Sequence, residues 1–186
     1  MANVDAPFGF RPIRYRSGAP YNGSSNLYYF PSGDSTAAFI GDAVVYATEH
    51  WKLPEGVAMI TQAAATATNI VGVLIGLEPR TNADTVYRVG STGRYAHVVD
   101  DPNVVFEVQY EGQLLPSQIS YYVDITVGTG STITGVSAME TEATSPATTV
   151  QTCRIVGVSS KPSNTASDAN PVLEVVFNEN VFRGLL

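Results

Sequence analysis

Three features of this 186-residue sequence predict an all-β protein, an antiparallel β-sandwich or small barrel with an extended N-terminal arm. Short apolar and aromatic runs recur along the chain, separated by Gly, Pro, Asn and Ser at close spacing. Charged residues make up only 15% of the chain and hydrophobic residues 44%, so a core is available and much of the polar surface is neutral. The opening segment differs in kind from the rest, being aromatic and basic ahead of an acidic body.

That segment is the first element. Arg11, Arg14 and Arg16 stand in residues 1–16 with one carboxylate, Asp5, while the remaining residues carry seven basic and sixteen acidic groups. Pro7, Gly9, Pro12, Gly18 and Pro20 exclude a regular helix and make a poor central strand. Fixing each backbone unit costs about 1–2 kcal/mol, whereas burying Phe8, Phe10 and Tyr15 returns only about 1.5–3 kcal/mol apiece. Order therefore requires arginine ion pairs and backbone pairing along a complementary groove. The expectation is an arm, residues 1–31, loose in the free protein and ordered on a partner, ahead of a β-rich body, residues 32–186. The alternative is an arm folded back over a sheet edge of its own body. Candidate contact residues are Phe8, Phe10, Arg11, Arg14, Tyr15, Arg16 and Tyr21.

In the body, 26–30 is an aromatic strand and 38–47 a strand interrupted at Gly41-Asp42. Residues 70–78 form a continuous apolar run of the buried-strand type. Residues 84–89 and 94–99 flank Gly90-Ser91-Thr92-Gly93, a hairpin connection. Val104, Phe106, Val108 and Tyr110 alternate with Glu107 and Gln109, which predicts a half-buried strand. Residues 119–127 and 133–136 flank Gly128-Thr129-Gly130, and 150–158 and 172–177 complete the set. Residues 58–69 are alanine-rich but broken by Thr61, Thr66 and Thr68, which leaves a loop or a short helix. Residues 140–149 and 160–170 read as surface loops.

Little in the chain points to catalysis. His97 with Asp100 and Asp101 is the nearest approach to a catalytic cluster, but the two carboxylates belong to an ordinary Asp-Asp-Pro-Asn turn. His50 beside Trp51 reads as a packed loop. Gly128 to Gly135 lacks the Gly-Lys-Ser/Thr ending of a phosphate loop, and Cys153 reads as a small buried hydrophobe. No His or Cys spacing fits zinc, and the adjacent carboxylates lack the ligand spacing of a calcium loop. The expectation is a protein without enzymatic activity or cofactor. Tyr21, Tyr28, Tyr29 and Phe30 suit core or interface, with a sugar-stacking surface that adds Trp51 as the alternative.

A net charge of −7 argues against nucleic acid as a partner of the body. The longest apolar run, residues 70–77, is too short to span a bilayer, and the first residues lack a signal-peptide pattern. A single cysteine permits no intramolecular disulfide, so the expectation is synthesis and use in a reducing cytoplasm or in a particle assembled there. Asn22-Gly23-Ser24 reads as a turn rather than a glycosylation site.

The opening Met1-Ala-Asn-Val-Asp-Ala-Pro-Phe-Gly-Phe-Arg-Pro-Ile-Arg14, the Tyr21-Asn-Gly23 that follows and Phe39-Ile-Gly-Asp-Ala-Val44 resemble small virion structural proteins of tailed bacteriophages. So do Asp100 to Gln109, Gly135 to Glu140, Arg154 to Val158 with Lys161 to Asn164, and Leu173 to Phe182, whereas 112–116 and 180–182 depart from the pattern. The resemblance implies a noncatalytic capsid decoration, or cement, protein on the exterior of the virion, assembled in the host bacterial cytoplasm. Its partner would be the major capsid protein, and it would form a homo-oligomer, a trimer at threefold sites or a dimer at twofolds. A tail or connector component and a carbohydrate-binding β module are the alternatives.

Overall fold

The chain is all-β, as its alternating runs predict. The structure, a computed structural model, describes residues 3–52, 56–144 and 146–183, without the side chains of residues 49–52. Its strands are β1 (Arg11–Tyr15), β2 (Asn26–Phe30), β3 (Ala43–Lys52), β4 (Val57–Gln62), β5 (Ile70–Leu77), β6 (Arg94–Val99), β7 (Val104–Gln109), β8 (Tyr122–Val123), β9 (Ile125–Thr126), β10 (Glu140–Thr141), β11 (Cys153–Val158) and β12 (Val172–Phe177). Strands β2-β4-β3-β5-β6 close into a barrel, β1-β7-β12-β11-β8 form an open sheet, and β9 and β10 pair separately. Every barrel pairing is antiparallel except β2 with β4.

The apolar run predicted as β5 explains how the two units join. Val71 and Leu74 point into the barrel with Phe30, Val44, Ile60 and Val98. Ile70 and Val73 point the other way, into a second core shared with Phe106, Ile155, Leu173 and Phe177 of the open sheet. A strand wedged between two cores has no polar face, so its sequence does not alternate. At the same junction Asp42 accepts hydrogen bonds from the Phe39 backbone N–H and from Gln62, both at 2.8 Å.

Several expectations differ from the fold: His50 and Trp51, read as a packed loop, lie in β3, and residues 140–149, read as a surface loop, hold β10 at Glu140–Thr141. Residues 58–69 hold no helix: β4 occupies 57–62 because Ile60 fills the barrel and β-branched residues suit a pleated wall. Residues 84–89 are not a strand. Their carbonyls at Thr85 and Tyr87 accept from the Arg94 side chain at 2.7 and 2.9 Å, and only Ala38 and Arg88 form an isolated bridge. Residues 133–136 belong to a turn closed by the Gly135 N–H on the Ser131 carbonyl at 2.8 Å. Finally, β7 is buried on both faces, Glu107 and Gln109 included.

Candidate interaction face

What buries the polar face of β7 is the N-terminal segment itself. Residues 3–15 cross the outside of the open sheet as a strap and end as its edge strand, β1, paired antiparallel with β7. Pro12 suits that edge position, since its missing N–H would break a central ladder, and the pairing register shifts between Pro12 and Arg14. The strap begins at Asn3, whose amide donates to the Thr165 and Ala169 carbonyls and accepts from the Thr165 N–H. Next, the Gln109 side chain imitates a strand. It accepts from the Ala6 N–H at 3.0 Å and donates to the Val4 carbonyl at 2.8 Å.

Gly9 allows the strap to reach the core. Its φ is +72°, and a Cβ there would stand 2.6 Å from the Gly41 carbonyl oxygen. Phe10 donates its backbone N–H to that same carbonyl at 2.8 Å. Its ring, 2% exposed, sits 4.9 Å from Phe177 and edge-on to Phe106.

Electrostatics hold the strap from the other side. The register sets Glu107 of β7 opposite Glu174 of β12, a like-charge pairing that destabilises a sheet on its own. Arg11 bonds Glu107 at 2.7 Å and Arg14 bonds Glu174 at 2.5 Å. Lys161 at 2.8 Å and the Ser159 hydroxyl at 2.6 Å also donate to Glu107. Burial pushes the Glu107 carboxyl up, but the hydrogen bonds from Lys161, Ser159 and Arg11 outweigh it and leave the group below its usual range.

In the structure the arm follows the alternative course, folded back over an edge of its own sheet. The complementary groove that its energetics demand is the acidic outer face of its own sheet, with Phe10 as the plug. Of 1–31, β1 belongs to the open sheet and β2 to the barrel.

The seven candidate residues separate accordingly. Phe10 is core, and Arg11 and Arg14 are neutralised internally. Phe8 is half-buried, with Arg11 at 4.8 Å and Lys161 at 5.4 Å from its ring. Tyr15 and Tyr21 form a tilted pair with centroids 6.2 Å apart, and their hydroxyls donate to the Asn22 side chain and the Ser24 carbonyl. Arg16 donates its backbone N–H to the Asn103 carbonyl at 2.8 Å, and its exposed side chain makes no ion pair among the described residues. The sequence reading missed Glu107, Gln109 and Glu174. The outward positions of an alternating strand beneath a basic arm are the signal that points to the first two.

The remaining chemical candidates are dispersed. His97 lies outside the barrel 3.4 Å from Glu78, whereas Asp100 accepts from Asn26 and Tyr28. Tyr28 is buried, and burial first, then Asp100, pushes its phenol up. Cys153 is fully enclosed, and burial, then Asp124 and Glu179, raises its thiol and keeps it protonated. Among the described residues no three His, Cys, Asp or Glu side chains gather to hold a metal ion, and no helix is long and apolar enough to cross a membrane. The side chains of His50 and Trp51 lie outside the described residues.

A cleft of about 570 Å³ opens at one end of the barrel, lined by Tyr29, Asp34, Thr48, Met59 and Thr61. Its carboxylate is engaged: Asp34 accepts from Arg88, Thr61 and the Thr36 N–H. Comparison with protein-family models, with curated proteins and with solved structures gives no match.

Proposed function

We propose that this chain is a noncatalytic decoration subunit of a tailed-phage head, bound to the outer surface of the major capsid lattice and stabilising it. The supporting observation is the strap. A segment whose composition suggests a mobile arm is instead fastened along the outer face of its own sheet by Phe10, Gln109 and two ion pairs. The product is a preorganised wedge, and preorganisation lowers the ordering cost of each contact. Modest contacts then become effective by repetition over many copies, self-associated as trimers or dimers at lattice symmetry points. The sequence resemblance, which covers nearly the whole chain, points the same way.

Mass spectrometry of purified virions and a density map of the intact head test this reading. Copies numerous enough to cover the lattice, lying outside the shell, are the expected result. A few copies at the tail or connector would replace it with the other virion role. The carbohydrate-binding reading draws support from the cleft beside Tyr29. Glycan-array binding that is lost in Tyr29→Ala would favour it over decoration.

A further inference from the structure

Arginine is scarce in this acidic chain, and the structure divides it into two groups. Arg88 is buried inside the barrel end, while Arg11 and Arg14 are paired with Glu107 and Glu174. Three others, Arg16, Arg154 and Arg183, gather at one end of the open sheet's outer face. Arg154 stands across from Val176 of β12 and from Tyr122 of β8, with its guanidinium 5.6 Å from the Tyr122 ring centroid. Arg183 donates to the Phe177 carbonyl at the end of β12 at 2.7 Å. Arg16 hangs from Asn103, directly before β7. After burial, Arg16 and Arg154 are the next causes that lower the Arg183 guanidinium, so both charges act on Arg183. No ion pair joins any of them to a carboxylate among the described residues.

The floor between them is apolar. Val105 and Val176, on neighbouring strands, are almost fully buried yet belong to neither hydrophobic core. They face outward in strands whose alternate residues, Phe106, Val175 and Phe177, fill the core. Arg14 stands across from Val105 and Arg154 across from Val176, so arginine stems roof the valines while the guanidinium heads remain outside. Gathering like charges without counter-charges costs free energy, and an external anion relieves it.

We propose that Arg16, Arg154 and Arg183, with Tyr122 behind them, form a docking site for clustered carboxylates of an acidic protein surface. Planar guanidinium forks match carboxylates in a bidentate manner. Three charges on a body of net −7 suit a local acidic patch better than the long polyanion of a nucleic acid, whose backbone the remaining surface repels. The site deepens the decoration reading by naming the partner chemistry at the shell, and in that respect it rests on it.

The test titrates the full chain with short poly-L-glutamate, about four residues long so that it covers only a local patch, and, separately, with a single-stranded oligonucleotide that extends past the site, at low and high salt. Wild type binds poly-L-glutamate, and Arg16→Gln/Arg154→Gln/Arg183→Gln weakens that binding at least about tenfold, the loss expected when charge-assisted bonds are removed. The double variant Arg16→Gln/Arg154→Gln keeps the Arg183 bond to Phe177 and covers the case in which the triple variant fails to fold. Equal binding by wild type and variants, or an oligonucleotide bound as tightly as poly-L-glutamate, overturns the site. Co-sedimentation with undecorated heads separates the two readings. Wild type that ignores heads but binds poly-L-glutamate through these arginines rejects decoration and supports the site, whereas variants that occupy heads as fully as wild type reject the site and support decoration.

Discussion

In the barrel, arginine turns inward. Arg88 is wholly buried, bonded to Asp34 and to the carbonyls of Pro31, Asp34, Thr36 and Thr92, and Arg94 gathers the carbonyls of Glu78, Thr85 and Tyr87. On the open sheet arginine lies across the outside, tying down the strap at Glu107 and Glu174 or, at Arg16 and Arg154, meeting no carboxylate among the described residues. A closed barrel has no ladder edge, so its long connections are what need fastening, and a multi-donor side chain inside a loop does that. An open sheet has an exposed face and two edges, so its charges either close them or meet something else. The same residue type fastens loops from within one unit and lies along the outer face of the other.

The widest separation between the two units comes from Arg88→Leu, which leaves Asp34 and four carbonyls without their donor. We expect a loss of about 3–5 kcal/mol, read as a large drop in the denaturation midpoint, with the sheet weakened along with the barrel because β5 contributes to both cores. Phe10→Ala empties a core site from the strap side. A loss of about 3–4 kcal/mol should come with rapid tryptic cleavage after Arg14, and a strap that stays protected would show that the polar contacts alone hold it.

Gly9→Ala places a Cβ against the Gly41 carbonyl at positive φ. The expected cost is about 2 kcal/mol, seen in hydrogen exchange as faster opening of residues 3–15 than of the barrel.

Glu107→Gln sharpens the electrostatic half of the comparison. Its folded carboxyl lies below the usual range, so its stabilisation is present above the unfolded carboxylate range and is lost as pH falls through the folded value. Asp42 has the opposite sign, because burial raises it and neutralisation in acid favours the fold there. Denaturation across an acid series should therefore weaken the strap while sparing the barrel junction. Glu107→Gln should cost about 2 kcal/mol at neutral pH and flatten the acid limb, and an unchanged limb would remove Glu107 from the account. The smallest effect belongs to Arg154→Gln, within about 0.5 kcal/mol in stability while weakening poly-L-glutamate binding.

How much of this was legible varies by element. β5 could be read as doubly buried because an unbroken apolar run leaves no polar face. The inner face of β7 could be read because alternation encodes it. Residues 84–89 could not, since their carbonyls are taken by Arg94, a donor whose direction no local pattern reveals. Charge and aromaticity single out the seven candidate contact residues, and three of them, Phe10, Arg11 and Arg14, meet the chain's own sheet. Which surface they meet depends on the register of β7 with β12, and that register sets Glu107 and Glu174 side by side.

By itself the sequence determined the all-β class and the opposition in charge between the first residues and the rest, because these follow from composition and short-range periodicity. Tertiary structure alone decided that the barrel closes, that Arg11 and Arg14 pair with its own sheet, and that Arg16 and Arg154 come within electrostatic reach of Arg183. Each of these depends on contacts between residues far apart in the chain, and pairing across such distances is fixed by packing and register rather than by neighbouring residues.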